Sequence, residues 1–173
     1  KTTEAEPFAR AGISDILITY NILGAEKLAR LKALARLTRI TVVADNAVVV
    51  QGLSENFADA TAPLRVLVEC DTGMHRCGVV DPADAVALAR RIAACPGLTF
   101  GGLMTYPAPD SHAAVEAFMT EARAGCIAAV GHCETISSGG TPSMAGFPKT
   151  SVVTEYRPGT YIYYDRMQVA AGA

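Results

Sequence analysis

A chain of 173 residues is long enough for one domain with a sizeable core and too short for two comfortable ones. Half of its residues are hydrophobic, 18% are charged and the formal net charge is -2, a mixture that argues against disorder and lacks the basic surplus of a nucleic-acid binder. No apolar run reaches the ~18 residues that span a bilayer, and the opening KTTEAE shows none of the apolar stretch of a signal peptide.

In chain order, short apolar runs alternate with longer amphipathic ones. Ile16-Leu17-Ile18-Thr19-Tyr20, Ile40-Thr41-Val42-Val43-Ala44 and Val66-Leu67-Val68-Glu69-Cys70 read as buried strands. Near-continuous β-branched and Leu content over about five residues is what a parallel strand covered on both faces requires. Between the first two, Ala25 to Leu37 sets Leu28, Leu31, Leu34 and Leu37 at helical spacing and keeps Lys27, Arg30 and Arg36 off that stripe. Asp45 or Asn46 can cap a helix that carries Val49, Val50 and Leu53 toward Phe57. Asp81-Pro82 opens another through Val86, Leu88, Ala89 and Ile92, stopped by Pro96-Gly97. A strand from Leu98 to Thr105, a helix from about His112 to Val130, a strand from Glu134 to Ser137 and an extended stretch from Val152 to Tyr156 complete the series.

The spacing predicts six β units and five or six helices in strict alternation, hence a parallel sheet in a single domain over residues 1–173. A (β/α)8 barrel needs eight units in ~250 residues, which would leave about two missing, whereas an open doubly wound sheet needs no more than six. Periodicity leaves both open. The sequence starts with Lys1 in a helical pattern and stops at Gly172-Ala173 with no element expected beyond Asp165, so both ends are expected to be cut. The five cysteines (Cys70, Cys77, Cys95, Cys126, Cys133) are odd in number and lack CxxC spacing, which argues against zinc or a disulfide framework and for a reducing cytoplasm. Most are expected to be small core residues.

In either architecture chemistry gathers at the C-terminal ends of the strands, and four of those ends are unusual. After the third strand, Glu69-Cys70-Asp71-Thr72-Gly73-Met74-His75-Arg76-Cys77-Gly78 brackets Arg76 with glycines that permit tight turns, so its guanidinium fork can face the mouth of the sheet. A solvated loop is the plain alternative, and His75, His112 and His132 stand at no metal-ligand spacing. Gly102-Leu103-Met104-Thr105-Tyr106-Pro107 places a Tyr where it either stacks on a planar ligand or edges the core. Ser137-Ser138-Gly139-Gly140-Thr141-Pro142-Ser143 joins consecutive glycines to hydroxyls, the makings of an anion nest, without the spacing of a P-loop or of GxGxxG. Glu155-Tyr156-Arg157-Pro158-Gly159-Thr160-Tyr161 follows the last strand and offers free backbone N–H groups at Gly159 and Thr160, with Arg157 just before them. Phosphate sites in barrels are frequently built from the loops after strands seven and eight. The last two motifs take those places if two units are missing; each alone also fits a surface loop, and together they point to phosphate.

Taken in this order, ECDTGMHRCGV, GLMTYP, SSGGTPS and TEYRPGTYIYYDRMQ resemble the fold-type III pyridoxal-phosphate enzymes, the alanine racemase-like barrels. Within them the chain is similar, over essentially its whole length, to the D-threonine aldolase and D-serine dehydratase family. The resemblance implies an α/β fold, a (β/α)8 TIM barrel of the alanine racemase N-terminal domain type with about the first two βα units missing. It implies that Ser138, Gly139, Gly140 and Thr141 hold the phosphate of pyridoxal 5'-phosphate, with Gly159 and Thr160 on the other side and Tyr161 closing the site. Arg76 matches the Arg of DTGMxRxG, which lies near the cofactor's phenolic oxygen in racemases of this fold. Arg157 matches an RxG position whose Arg faces the pyridine nitrogen in alanine racemases and which varies in the aldolase branch. Tyr106 would line the pocket, and Met104 stands where some relatives place a Gln.

The activity so implied is that of a pyridoxal-phosphate-dependent lyase on β-hydroxy-D-amino acids, cleaving Cα–Cβ to glycine and an aldehyde. Dehydration of D-serine or 3-hydroxy-D-aspartate to a keto acid and ammonia is the alternative, and racemisation or cofactor binding without catalysis are others. In the aldolases a divalent metal (Mn, Mg or Zn) in a C-terminal β domain engages the β-hydroxyl; its ligands have no match here, nor does the Schiff-base lysine of the first barrel strand. Lys1, Lys27, Lys32 and Lys149 fall at a helix start, on helix surfaces and in a loop, so the isolated chain is expected to be inactive. The partner expected is a small D-amino acid, with no nucleic acid or membrane and with a homodimer among the options. An unrelated barrel enzyme whose own substrate carries the phosphate is the rival; it would bind a sugar phosphate and not pyridoxal phosphate.

Overall fold

The five apolar runs read as strands and the end of the last extended stretch join one sheet. A computed structural model describes residues 1–141, 148, 151–163 and 165–170. Helix α1 (Thr2–Arg10) leads into β1 (Asp15–Ile18), followed by α2 (Ala25–Leu34), β2 (Arg39–Ala44), α3 (Ala47–Phe57) and β3 (Leu64–Cys70). Then come α4 (Pro82–Ala94), β4 (Leu98–Thr105), α5 (His112–Val130), β5 (Thr135–Ser138), β6 (Glu155–Tyr156), a 3-10 turn (Thr160–Ile162) and α6 (Arg166–Ala170). The strands pair in sequential order β1 to β6, all parallel, as in a partial (β/α) barrel.

Local chemistry sets the helix ends. Asn46 Oδ1 accepts from the Val48 and Val49 N–H groups at 3.0 Å, and Asp81 Oδ1 accepts from Ala83 N at 2.7 Å ahead of Pro82. Gly131, at φ 87°, ends α5 in the left-handed conformation. α2 is shorter than its leucine stripe suggests: Leu37 N donates to Leu34 O at 2.9 Å, tightening the last turn, and the Leu37 side chain turns out to solvent. A short helix, α6, follows Asp165, where the sequence suggested no further element.

The strands present two faces. Ile18, Val42, Val66, Val68, Leu103 and Ile136 pack outward with Leu31, Val50, Leu53, Ile92 and Met119 of the helices in one core, which also buries Cys70, Cys126 and Cys133. Val43, Leu67 and Met104, with Leu17 against them, fill the inner face. A bulge in β4 keeps these faces in phase: Val66 pairs with Phe100 but Leu67 pairs with Gly102, so Gly101 is the extra residue. Arg65 crosses the bulge, donating through Nη2 to Gly101 O at 2.9 Å and to Thr135 Oγ1 at 2.8 Å.

The last strand is short for a physical reason. Thr154 bonds Ile136 with its side chain as well as its backbone, taking Ile136 N on Oγ1 at 2.8 Å and donating its own N–H to Ile136 O at 2.9 Å. Just before it, Glu116 of α5 accepts from Ser151 Oγ and Val152 N, both at 2.6 Å. Regular pairing therefore starts at Glu155, not at Val152.

Candidate cofactor site

Period-two alternation carries the inner face up to the strand ends. There a cavity of about 300 Å³ is lined by Leu17 and Thr19 at the end of β1, Met104 and Tyr106 at the end of β4, Gly139 after β5, Arg157 after β6, and Arg76 from the loop after β3. One cavity thus gathers residues from all four motifs: Arg76, Met104 and Tyr106, Gly139, and Arg157.

At the loop after β5, Ser138 and Thr141 are buried and Gly140 is half-buried between them. Gly139 has φ 122°, and a Cβ there would lie 2.9 Å from Arg157 N and 3.0 Å from the Tyr156 ring, so the turn requires glycine. The N–H groups of Gly159 and Thr160 are not free, contrary to the expectation from sequence. Both donate to Thr141 Oγ1, at 3.1 and 3.0 Å, because partly buried N–H groups must find an acceptor and this hydroxyl stands where they converge. Two neighbouring N–H groups aimed at one oxygen are also what a phosphate oxygen requires. These residues therefore fit a phosphate-bearing cofactor. The Tyr161 side chain, Pro142, Ser143 and Lys149 lie outside the described residues.

Arg157 turns inward and ties three strand ends together. Nη2 donates to Thr105 O at 2.7 Å and to Met104 Sδ at 3.3 Å, and Nη1 donates to Ser137 Oγ. Ser137 Oγ in turn donates to Glu155 Oε1 at 2.5 Å. Burial lowers the pKa of the guanidinium, opposed by the charges of Glu155 and Glu69. Its forked donors reach all three partners at once. Arg157→Lys should therefore destabilise the full-length protein by about 3 kcal/mol although the charge is kept; an unchanged denaturant midpoint would show that the charge alone matters.

Opposite lies the Arg76 loop. Asp71 Oδ1 accepts from Gly73 N at 2.9 Å and from His75 N at 3.0 Å, holding His75 at φ 55°. Burial works against ionisation of Asp71, but these N–H bonds outweigh it and its carboxyl titrates below the usual range. Thr72 and Thr105, both buried, share a hydrogen bond of 2.9 Å that fixes the loop to the end of β4. Arg76 is thereby set over the Tyr106 ring, 4.4 Å from its centroid. Lys1, Lys27 and Lys32 do not line the cavity, and the Lys32 ammonium pairs with Asp59 at 2.7 Å. Among the described residues no three His, Cys, Asp or Glu side chains gather as a metal site.

Sequence reasoning gave no role to Glu69, Ser137 or Glu155, all of which border or support this cavity. The available signal was a charged residue, Glu69, at an inward position of an otherwise apolar strand just before the Arg76 loop.

Residues 1–167 match the family described as alanine racemase, N-terminal domain. The chain is 38% identical over 176 residues to a D-threonine aldolase of Arthrobacter sp, covering 95% of this chain and 46% of that protein. It is 31% identical over 177 residues to a 3-hydroxy-D-aspartate aldolase of Paracoccus denitrificans (strain Pd 1222), again covering 95% and 46%. The crystal structure of D-threonine aldolase from Filomicrobium marinum superposes with a TM-score of 0.82 at 34% identity, over 99% of this chain and 49% of that one. The chain spans about half the length of the curated relatives it matches. It belongs to the alanine racemase N-terminal domain family, the fold-type III pyridoxal-phosphate barrels that its motifs resemble.

Proposed function

We propose that this chain forms the phosphate-holding part of the barrel of a pyridoxal-phosphate-dependent lyase that cleaves β-hydroxy-D-amino acids to glycine and an aldehyde. The observation that carries the reading is the convergence of the Gly159 and Thr160 N–H groups on one buried oxygen beside the Gly139 turn, in a chain 38% identical to a D-threonine aldolase. Residues 1–173 are read as part of the cofactor-binding domain. The Schiff-base lysine and the ligands of a divalent metal belong, in this reading, to the rest of the full-length protein. Five free cysteines suit a reducing cytoplasm, and among the described residues no helix is long and apolar enough to cross a membrane.

When bound, pyridoxal phosphate supplies an electron-withdrawing ring for a bond at the substrate's Cα. The chain's own residues bind and orient. Ser138, Gly139, Gly140 and Thr141 would take the phosphate from one side and Gly159 and Thr160 from the other, the Thr141 hydroxyl turning to donate once an anion takes the two N–H bonds. Arg76 would lie near the phenolic oxygen with Tyr106 beneath it, and Tyr161 would close the site. Arg157 would face the ring nitrogen, as a cation that stays protonated and so donates there rather than accepts.

The test is to titrate the full-length protein with pyridoxal phosphate and supply D-threonine or 3-hydroxy-D-aspartate with a divalent metal. Cofactor binding displaced by inorganic phosphate, with release of glycine and an aldehyde, is the expected result. A keto acid and ammonia would mark a dehydratase instead. Binding of sugar phosphates but not of pyridoxal phosphate would overturn the reading.

A further inference from the structure

Ser137 is 0% exposed and stands on the inner face of β5, in register with Met104 of β4 on one side and Glu155 of β6 on the other. A hydroxyl so buried must place both its one proton and its lone pairs. Its Oγ donates to Glu155 Oε1 at 2.5 Å and accepts from Arg157 Nη1. The direction of this chain is set at its far end. An ionised carboxylate can only accept, so it takes the Ser137 proton and leaves the hydroxyl with lone pairs alone to offer Arg157.

The same bond decides how Arg157 is held. A guanidinium carries five N–H donors. Nη2 gives two of them to Met104 Sδ and Thr105 O, both on β4, and Nη1 gives one to Ser137. The bonds from Nη2 fix a point, and the Ser137 bond fixes the rotation of the guanidinium plane about it. The Nε–H and the second Nη1–H, for which the described residues show no acceptor, remain for the cavity that Arg157 lines. Glu155 does not line that cavity. It borders a second one, of about 180 Å³, with Thr41, Arg65 and Leu67, and so reaches the cofactor site only through Ser137. Burial lowers the pKa of Arg157, and Glu155 is the foremost of the charges that oppose this.

We propose that Glu155 is a positioning residue for the cofactor ring: by taking the proton of Ser137 it makes that hydroxyl an acceptor, which fixes the plane of Arg157 and aims its two remaining donors into the cavity. This rests on the cofactor reading above, in which Arg157 faces the ring. Ser137 and Glu155 then act as one unit, and neither touches the cofactor phosphate.

The experiment is fluorescence titration of the full-length protein with pyridoxal phosphate, with inorganic phosphate titrated in parallel. Glu155→Ala and Ser137→Ala should each bind pyridoxal phosphate about tenfold more weakly than the wild type and bind inorganic phosphate as the wild type does. The double variant should lose no more than either alone, because the two residues form one chain of bonds. Glu155→Gln keeps an acceptor oxygen at the same reach, and Ser137→Thr keeps the hydroxyl; both should recover the affinity to within about twofold. Additive losses in the double variant would overturn the proposal. So would equal weakening toward both ligands, which marks a general structural defect, or a Glu155→Ala variant that binds as the wild type does. Should Glu155→Ala fail to fold, the Ser137 pair carries the test: equal affinities of Ser137→Ala and Ser137→Thr overturn the proposal. A wild type that binds inorganic phosphate but no pyridoxal phosphate would instead overturn the cofactor reading itself.

Discussion

Gly102→Ala should be among the most damaging single substitutions in this chain, lowering stability by about 4 kcal/mol. Gly102 has φ 133°, and a Cβ there would come within 2.0 Å of Thr135 O and 2.8 Å of Thr135 C. These are backbone atoms of the neighbouring strand and cannot swing aside. Relief requires opening the β4–β5 ladder in which Gly102, Leu103 and Met104 pair with Thr135, Ile136 and Ser137. The same glycine follows the bulge that turns Met104 and Tyr106 to the inner face, so the cavity should be lost with the pairing. Gly101→Ala is the control, because a Cβ there meets only the Arg65 side chain, at 2.7 Å, and that side chain can move. Denaturant titration of both variants in the full-length protein decides it. A Gly102→Ala midpoint no lower than that of Gly101→Ala would show that β4 and β5 separate easily at this point.

The contrast between these glycines shows what a sequence carries and what it withholds. The limits of α5 and β4 were legible because their signals are local: a stop at Gly131, an apolar run between Gly97 and Pro107. The loops after β5 and β6 stood out for the same reason, since each is a contiguous motif at a strand end. The bulge was not, because the need for glycine at position 102 lies in the Thr135 carbonyl of another strand. Nor were the Arg157 partners, which stand on β4 and β5, as far as 53 residues away along the chain. The expectation of free N–H groups at Gly159 and Thr160 failed on a contact of the same kind, a hydroxyl 18 and 19 residues distant. Local chemistry announces elements and loops, whereas the charge and hydrogen-bond balance inside the cavity depends on which strands become neighbours.

Glu69 is where that balance should be most visible, through the pH dependence of stability. In the unfolded chain its carboxyl titrates near the ordinary glutamate value of 4.5, and burial and Asp45 push it up to about 7 in the folded protein. Between these values the folded state binds the extra proton, so Glu69 contributes stability that is fully present below about pH 4.5 and is lost as pH rises through about 7. Fully ionised, it costs on the order of 3 kcal/mol relative to its protonated form. Glu69→Gln keeps the shape and cannot ionise. The variant should match the wild type near pH 4 and be more stable at pH 8, by an amount that approaches this figure, in denaturant titrations of the cofactor-free full-length protein. Parallel curves would show that the ionised carboxylate is already balanced by the two arginines.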